Sequence, residues 1–369
     1  MTRAAKRRVL VAGGTGVTGT STVAAFAAAG WDVQAASRRP PAALVPGTRH
    51  HSADLLDPAS CRALAQATGP VEEIAFCAIN EAPGSLVEKW TDPGQVDRNR
   101  AMLANLLDAV LAVSPGFRHI SIVHGSKAYG VHLPDHRLTV PHREDEPRVV
   151  HENFYFAHED EVSARSAGQA WSWTVFRAPM ILGGGIGTNL SNFLALGVIA
   201  SLARIERRPF DFLAGPDEGV FQVIDADVIG RAFVWAADAA SARGQIFNIS
   251  NGDVTQWRAL WPVIAEACGA IVGEDRPRQS CVALARMLAP AWAGAVAGYG
   301  LSAPADLEEF LGESFALLDF ALPSGRISVL STIKLRKAGF ADCEDTPDRV
   351  RAWFRCWQRE GLLPPPQSL

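Results

Sequence analysis

The sequence predicts an α/β protein built on a doubly wound parallel sheet with a smaller, mostly helical C-terminal lobe. Three observations carry that expectation: short apolar runs alternate with helical patterns through the first half, a glycine-rich turn follows the first of those runs, and the C-terminal region is rich in Trp, Leu and Ala. Alternating strands and helices put crossover helices on both faces of a parallel sheet. With 369 residues, 48% hydrophobic and 20% charged, the chain reads as globular and long enough for a large domain plus a lobe.

The elements follow in order. Val9–Ala12 is a buried strand. Thr20–Ala29 is Ala-rich and helical, with Gly30 as its stop, and Trp31–Ser37 is the second strand. A third strand precedes His51-Ser52-Ala53-Asp54. Glu73–Ile79, His119–His124 and Trp173–Phe176 are further strands. Arg98–Val113 places Met102, Leu103, Leu106, Leu107, Val110 and Leu111 on one helical face. After a loop at Gly183–Gly187 the pattern is helical from Asn189 to Arg208 and again over Ile224–Ala237, with a strand at Gln245–Ile249.

The net charge of −4 gives no reason to expect nucleic acid as a partner, and Lys6-Arg7-Arg8 reads as a solvated start to the first strand. Cys61, Cys77, Cys268, Cys281, Cys343 and Cys356 are scattered without a C-x-x-C pair. That spacing argues against a disulfide framework or a metal site and fits a reducing cytoplasm. The most apolar stretch, Leu284–Leu301, is interrupted by Arg286, Pro290 and several glycines, so no membrane span is expected. Val9–Ala12 is too short for a signal peptide.

Gly13, Gly16 and Gly19 stand three residues apart, with Thr15, Val17 and Thr18 between them, directly after a strand and at the mouth of a helix. That context makes a dinucleotide cradle: tight turn, close backbone approach to a pyrophosphate, and close helix–strand packing. An NAD-preferring site wants a carboxylate at the end of the second strand. Here Ser37-Arg38-Arg39 stands instead, and a guanidinium can grip a 2′-phosphate, so NADP(H) is the expected cofactor. Asp54 is placed to accept from the adenine amino group, while Asp57-Pro58 caps the next helix. Leu55, Ala78 and Ile79, near the ends of the third and fourth strands, complete the expected cofactor wall. The domain boundaries that follow are a dinucleotide-binding core over 1–187, a lobe insertion over 188–223, a return to the core over 224–252, and mainly lobe over 253–369.

Hydride-transfer proteins of this fold usually pair Tyr with Lys four residues later. The three tyrosines, Tyr129, Tyr155 and Tyr299, are followed at that spacing by Leu133, Glu159 and Ala303. The lysines are Lys6, Lys89, Lys127, Lys334 and Lys337. Lys127 lies just beyond the strand His119–His124, where ligands sit in open α/β sheets. Tyr155 opens a helix.

Two segments resemble motifs of the progesterone 5β-reductase/iridoid synthase group of atypical short-chain dehydrogenases. Gly125-Ser126-Lys127-Ala128-Tyr129-Gly130 is similar to its Thr-Gly-x-Lys-His-Tyr-x-Gly motif, and Asn153-Phe154-Tyr155-Phe156-Ala157-His158-Glu159-Asp160 to its Asn-Phe-Tyr-Tyr-x-x-Glu-Asp motif. The resemblance runs nearly end to end, through Ser250–Val254 and Lys337–Phe340. It implies an extended short-chain dehydrogenase fold with Tyr155 and Lys127 as catalytic pair, and Pro179 and Ile181 beside the cofactor. Departures are His124 for Thr, Ala128 for His, Phe156 for the second Tyr, and the proline displaced by one to Pro179.

What the resemblance implies is an NADPH-dependent reductase acting on the activated C=C bond of an α,β-unsaturated carbonyl, Tyr155 stabilising the enolate with support from Lys127. Phe193, Leu194, Phe212, Leu213, Phe315, Leu318 and Phe320 suggest a hydrophobic small-molecule substrate. Two other readings stand beside it: a carbonyl reductase or epimerase of the extended type, and a non-catalytic NADP-binding redox sensor. A homodimer is left open. Tyr129, His124 and His158 read as structural, and Trp257–Trp261 and Trp353, Phe354 and Trp357 as packing faces.

Overall fold

The computed structural model describes residues 6–41, 43–81, 88–184, 186, 191–215, 219–322, 325 and 327–366. Its strands are β1 (Arg8–Ala12), β2 (Asp32–Ser37), β3 (Arg49–Ser52), β4 (Glu73–Phe76), β5 (His119–Gly125), β6 (Ser172–Ala178), β7 (Met180–Leu182), β8 (Phe210–Phe212), β9 (Val223–Asp225), β10 (Gln245–Asn248) and β11 (Val272–Asp275). Seven of them form one sheet in the order β10-β6-β5-β4-β1-β2-β3, every pairing parallel. The chain winds outward from β1 in both directions, so the crevice between the carboxyl ends of β1 and β4 is the topological switch point where ligands bind.

The helices are α1 (Val17–Ala28), α2 (Pro58–Thr68), α3 (Pro93–Val113), α4 (Phe154–Ser166), α5 (Asn192–Ile205), α6 (Ala226–Ala236), α7 (Trp257–Cys268), α8 (Cys281–Tyr299), α9 (Leu307–Leu311), α10 (Ser314–Ala321), α11 (Ile333–Lys337) and α12 (Thr346–Arg359). Period-2 alternation assigns the sheet's faces. Leu10, Ile74, Phe76, Ile120 and Ile122 join Leu103, Leu106 and Val162 of α3 and α4 in one core. Val9, Val11, Val33, Ala75 and Phe176 join Phe26, Ile229 and Phe233 of α1 and α6 in the other. Each such large side chain contributes roughly 1.5–3 kcal/mol by leaving water. Caps set the helix starts: Asp57 accepts from Ala59 and Ser60, Asp92 from Gly94, and Asn153 from Tyr155.

Several boundaries differ from the sequence reading. His51 and Ser52 lie inside β3, not after it; β3 is a polar edge strand, so no apolar run marks it. Val223–Asp225 is β9, paired with β7, so the helix expected from Ile224 starts at Ala226, where Asp225 caps it. β4 stops at Phe76, short of Ile79.

The C-terminal helices build a separate core. α5 is buried on all sides from Asn192 to Ala203 and serves as its axis. Trp257, Trp261, Trp292, Phe310, Phe354 and Trp357 pack around it. Leu335 and Phe340 instead join the sheet-side core beside α6, so the chain returns to the sheet near its end. Among the described residues one helix, α8, is long and apolar enough to cross a membrane by length and composition. It buries Cys281, Leu288, Trp292 and Ala295 against its neighbours.

Candidate cofactor and catalytic site

One cavity of about 1280 Å³ runs along the carboxyl ends of the strands, from Arg38 past the glycine turn to Phe320. It exceeds the roughly 300–1,000 Å³ of a single small-ligand pocket, so a dinucleotide and a second small molecule fit together. The turn after β1 forms its floor. A Cβ on Gly13 would lie 2.7 Å from the Ala78 nitrogen, and the residue has φ +80°, a region that favours glycine. Gly16 differs: a Cβ there would meet only the Gly13 oxygen, at 3.4 Å, so the protein itself leaves room beside it. Gly16 caps α1 without a side-chain hydrogen bond, leaving first-turn N–H groups and the positive helix end to face an anion. This fits a pyrophosphate.

Gly13, Thr15, Gly16, Val17 and Thr18 all line the cavity. Gly19 does not. It sits on the inner side of α1, where a Cβ would come within 2.0 Å of the Gly13 oxygen, so it acts through packing. Ser37, Arg38 and Arg39 line the far mouth. The Ser37 hydroxyl donates to the Arg39 carbonyl at 2.6 Å and lies 2.8 Å from His50 Nε2, fixing the turn from which both exposed arginines project. Asp54 and Leu55 form one side wall, with the Asp54 carboxylate accepting from Leu56 N–H at 3.0 Å. Ala78 and Ile79 follow β4, while Pro179, just before β7, and Ile181, within it, also line the cavity.

Lys127 and Tyr155 meet in the middle of the cavity although they are far apart in the chain. Lys127 sits in a 3-10 turn, Ser126–Tyr129, directly after β5, and Tyr155 in the first turn of α4. The Lys127 ammonium lies 5.3 Å from the Tyr155 ring centroid. It also stands over the faces of Trp90, at 4.6 Å, and Phe154, at 5.3 Å. Burial pulls the Lys127 pKa down to about 8, against the opposing charge of Glu81. Burial pushes the Tyr155 phenol well above its ordinary value; Glu81 adds to the rise and the Gly125 N–H works against it. The usual expectation, a lysine lowering its tyrosine, does not hold here: desolvation and Glu81 set the direction. Gly125 is required by contact: a Cβ there would lie 2.9 Å from the Tyr155 hydroxyl oxygen.

Behind Tyr155 lies a buried polar chain that sequence reasoning treated as ordinary histidines. The His124 ring stacks on Tyr155 with centroids 4.4 Å apart and planes 16° apart. His124 Nε2 is 3.3 Å from His158 Nδ1, and His158 Nε2 is 2.9 Å from the Asn99 carbonyl oxygen. The Asn99 side chain in turn holds both N–H and carbonyl of Asn80, on the cavity wall. Burial lowers both imidazoles, His158 to about 3. Burial would raise Glu159, but the His124 ring and Arg177 pull harder and hold it at about 2. Arg177 and Arg148 reach its two oxygens at 2.8 and 3.0 Å. Tyr129 is structural, its hydroxyl donating to Asn248 Oδ1 at 2.5 Å.

Beyond Tyr155 the walls turn apolar, with Trp90, Val131, Leu138, Phe221, Leu317 and Phe320. Of the seven apolar lobe residues from which a hydrophobic substrate is expected, only Phe320 lines the cavity; Phe193, Leu194, Phe212, Leu213, Phe315 and Leu318 belong to the lobe's core. Trp90, Phe221 and Glu81 carried no periodic or motif signal that could have marked them.

The profile of the NAD dependent epimerase/dehydratase family matches residues 9–250. This chain belongs to that family. As a member of the epimerase/dehydratase family it is a nicotinamide-dinucleotide enzyme of the extended short-chain dehydrogenase kind, an oxidoreductase class. It is similar to the (S)-8-oxocitronellyl enol synthase CYC1 of Camptotheca acuminata, 29% identical over 291 residues, which cover 74% of this chain and 73% of that protein. It is 30% identical to an (S)-8-oxocitronellyl enol synthase of Antirrhinum majus over 48% of each chain. It is likewise 30% identical to the 3-oxo-Delta(4,5)-steroid 5-beta-reductase of Arabidopsis thaliana, over 47% of this chain and 46% of that protein. The last two matches span about half the length of those relatives. The resemblance read from the Lys127 and Tyr155 motifs agrees with these relatives. Among solved structures, the UDP-glucose 4-epimerase of Thermotoga maritima superposes with TM-score 0.68 at 15% identity, over 95% of this chain and 99% of that one. RMD from Pseudomonas aeruginosa, complexed with NADPH, gives 0.64 at 16%, over 96% and 99%. At those identities the likeness is one of fold.

Proposed function

We propose that this chain is an NADPH-dependent reductase that adds hydride to the β-carbon of an α,β-unsaturated carbonyl on a hydrophobic small molecule. The observation that carries the reading is the Tyr155–Lys127 pair: a buried phenol held in its protonated form, beside a half-buried ammonium, between the glycine cradle and an apolar chamber. NADPH is preferred because β2 ends at Ser37 and is followed by Arg38, with no carboxylate for a ribose diol, and the Arg38 side chain stands exposed at the cavity mouth.

The dinucleotide supplies hydride when bound; the chain's own groups do the rest. The cradle and the start of α1 hold the pyrophosphate, and Arg38 the 2′-phosphate. As hydride reaches the β-carbon, charge builds on the substrate's carbonyl oxygen, and the neutral Tyr155 hydroxyl donates a hydrogen bond to the resulting enolate. Lys127 keeps a positive charge within reach of that oxygen and of Tyr155. The α-carbon then takes its proton from solvent or a nearby group. A phenol with a raised pKa suits a donor that keeps its proton, whereas an epimerase or alcohol dehydrogenase needs the same tyrosine as a base. A sensor would need neither group. The free cysteines suit work in the reducing cytoplasm.

The test uses NADPH deuterated at the transferred position with a simple enone. Deuterium on the β-carbon of a product that keeps its carbonyl is the expected result. Deuterium on a newly formed carbinol carbon would overturn the proposal in favour of carbonyl reduction.

A further inference from the structure

An ammonium drawn partly out of water is costly unless something replaces the water it loses, and Lys127 is half-buried on the cavity wall. At Lys127 the replacement is largely aromatic. The Trp90 face lies 4.6 Å from the ammonium and the Phe154 face 5.3 Å, both within the roughly 6 Å over which a ring's negative face attracts a cation. Trp90 is only 7% exposed, so little water competes with that contact. Its plane is fixed from the far side by Phe320 of α10, edge-on at 5.1 Å, and by His132 at 5.8 Å. Asn153, the cap of α4, donates to the Lys127 carbonyl at 3.4 Å and ties the lysine's backbone to the helix that carries Tyr155.

The titratable groups facing Lys127 are few. Glu81, beyond β4, is its negative neighbour. Burial holds His124 of β5 and His151 of the loop before α4 toward the neutral form, and the Lys127 charge adds to it. Tyr155 of α4 is a protonated phenol. The two histidines therefore offer the ammonium no negative charge, and the π faces are what surrounds it on the α4 and Trp90 sides.

We infer that Trp90 is a positioning residue for the reaction: with Phe154 it forms an aromatic cage that keeps Lys127 protonated and aimed at Tyr155. The inference rests on the proposed role of Lys127, but its test does not depend on turnover. Removing the indole face disfavours the charged form, so the lysine's pKa must fall. Five lysines are few enough to follow individually by NMR after labelling at Cε, and Lys127→Met identifies the signal. In the cofactor-free protein, Trp90→Leu lowers the Lys127 titration midpoint by about one pH unit, the size expected of a partly desolvated cation–π contact. Trp90→Phe, which keeps a π face, restores most of it.

Should Trp90→Leu fail to fold, growth on trifluorinated tryptophan preserves the indole's shape while draining its negative face, and the midpoint must again fall. A midpoint that stays or rises in these proteins overturns the cage. With an active enone substrate, the alkaline limb of the kcat profile moves to lower pH in step with the NMR value. A shifted midpoint without any enone reduction would sink the proposed function and leave the cage standing; enone reduction with an unmoved midpoint would do the reverse.

Discussion

The two ends of the cavity are built from different materials. The cradle end is made of backbone: the turn at Gly13, the first turn of α1 and the close packing at Gly19, where what matters is the absence of side-chain atoms. The proposed catalytic end is made of side chains brought from separate elements, Lys127 after β5, Tyr155 on α4 and Trp90 ahead of α3, and what matters there is desolvation. A backbone site fails sterically and all at once. A side-chain site fails chemically and can lose rate while keeping its shape.

Substitutions at the two ends sharpen that contrast. The largest effect is expected at Gly19. In Gly19→Ala the new methyl collides with the Gly13 carbonyl, 2.0 Å away, so α1 must move off the turn. Overpacking of this kind against rigid backbone costs about 3 kcal/mol, and calorimetry should show a lowered Tm with NADPH binding lost. Normal NADPH affinity in this variant would mean the cradle is not limited by its backbone. Next comes Tyr155→Phe. Loss of one oxyanion donor costs about 3–4 kcal/mol, or two to three orders of magnitude in kcat, while NADPH affinity and Tm stay close to wild type. A parallel loss of cofactor affinity would break the separation between the two ends. The smallest effect belongs to Arg38→Ala. An exposed charge-assisted contact supports roughly a tenfold preference, about 1.4 kcal/mol. Fluorescence titration should show the NADPH-over-NADH gap narrowing by that factor, with NADH affinity and kcat unchanged; equal affinities in the wild type would remove the basis for the cofactor assignment.

The same difference governs what could be read without a structure. The cradle is contiguous in sequence and its strand–turn–helix context is written in a dozen residues, so Gly13 to Gly19 and Ser37 to Arg39 were legible, except that Gly19 acts by packing. Lys127 and Tyr155 emerged by elimination and by their flanking motifs, because topology rather than spacing brings them together. Trp90 was illegible: a lone aromatic beyond a Pro- and Gly-containing stretch has no period to mark it. His124 and His158 passed as ordinary because a sequence does not display burial. The strands at the edges were the hardest to read, β3 because its residues are polar, and β9 because Val223-Ile224 blends into the apolar pattern of α6.

The histidine chain behind Tyr155 has a consequence for where protons can sit. A backbone carbonyl only accepts, so the 2.9 Å contact with Asn99 obliges His158 to carry its hydrogen on Nε2. Its Nδ1 is then an acceptor, and His124 must present a hydrogen from its own Nε2. The sequence of bonds has one sense, set by a group that no side-chain substitution removes. His158 cannot gain a second hydrogen unless His124 first withdraws the one it offers. The vacant seat is His124 Nδ1, which is buried without a hydrogen-bond partner and faces Glu159 Oε1 at 3.7 Å. The pair thus has capacity for a single added positive charge, at one atom, on a ring lying flat against Tyr155.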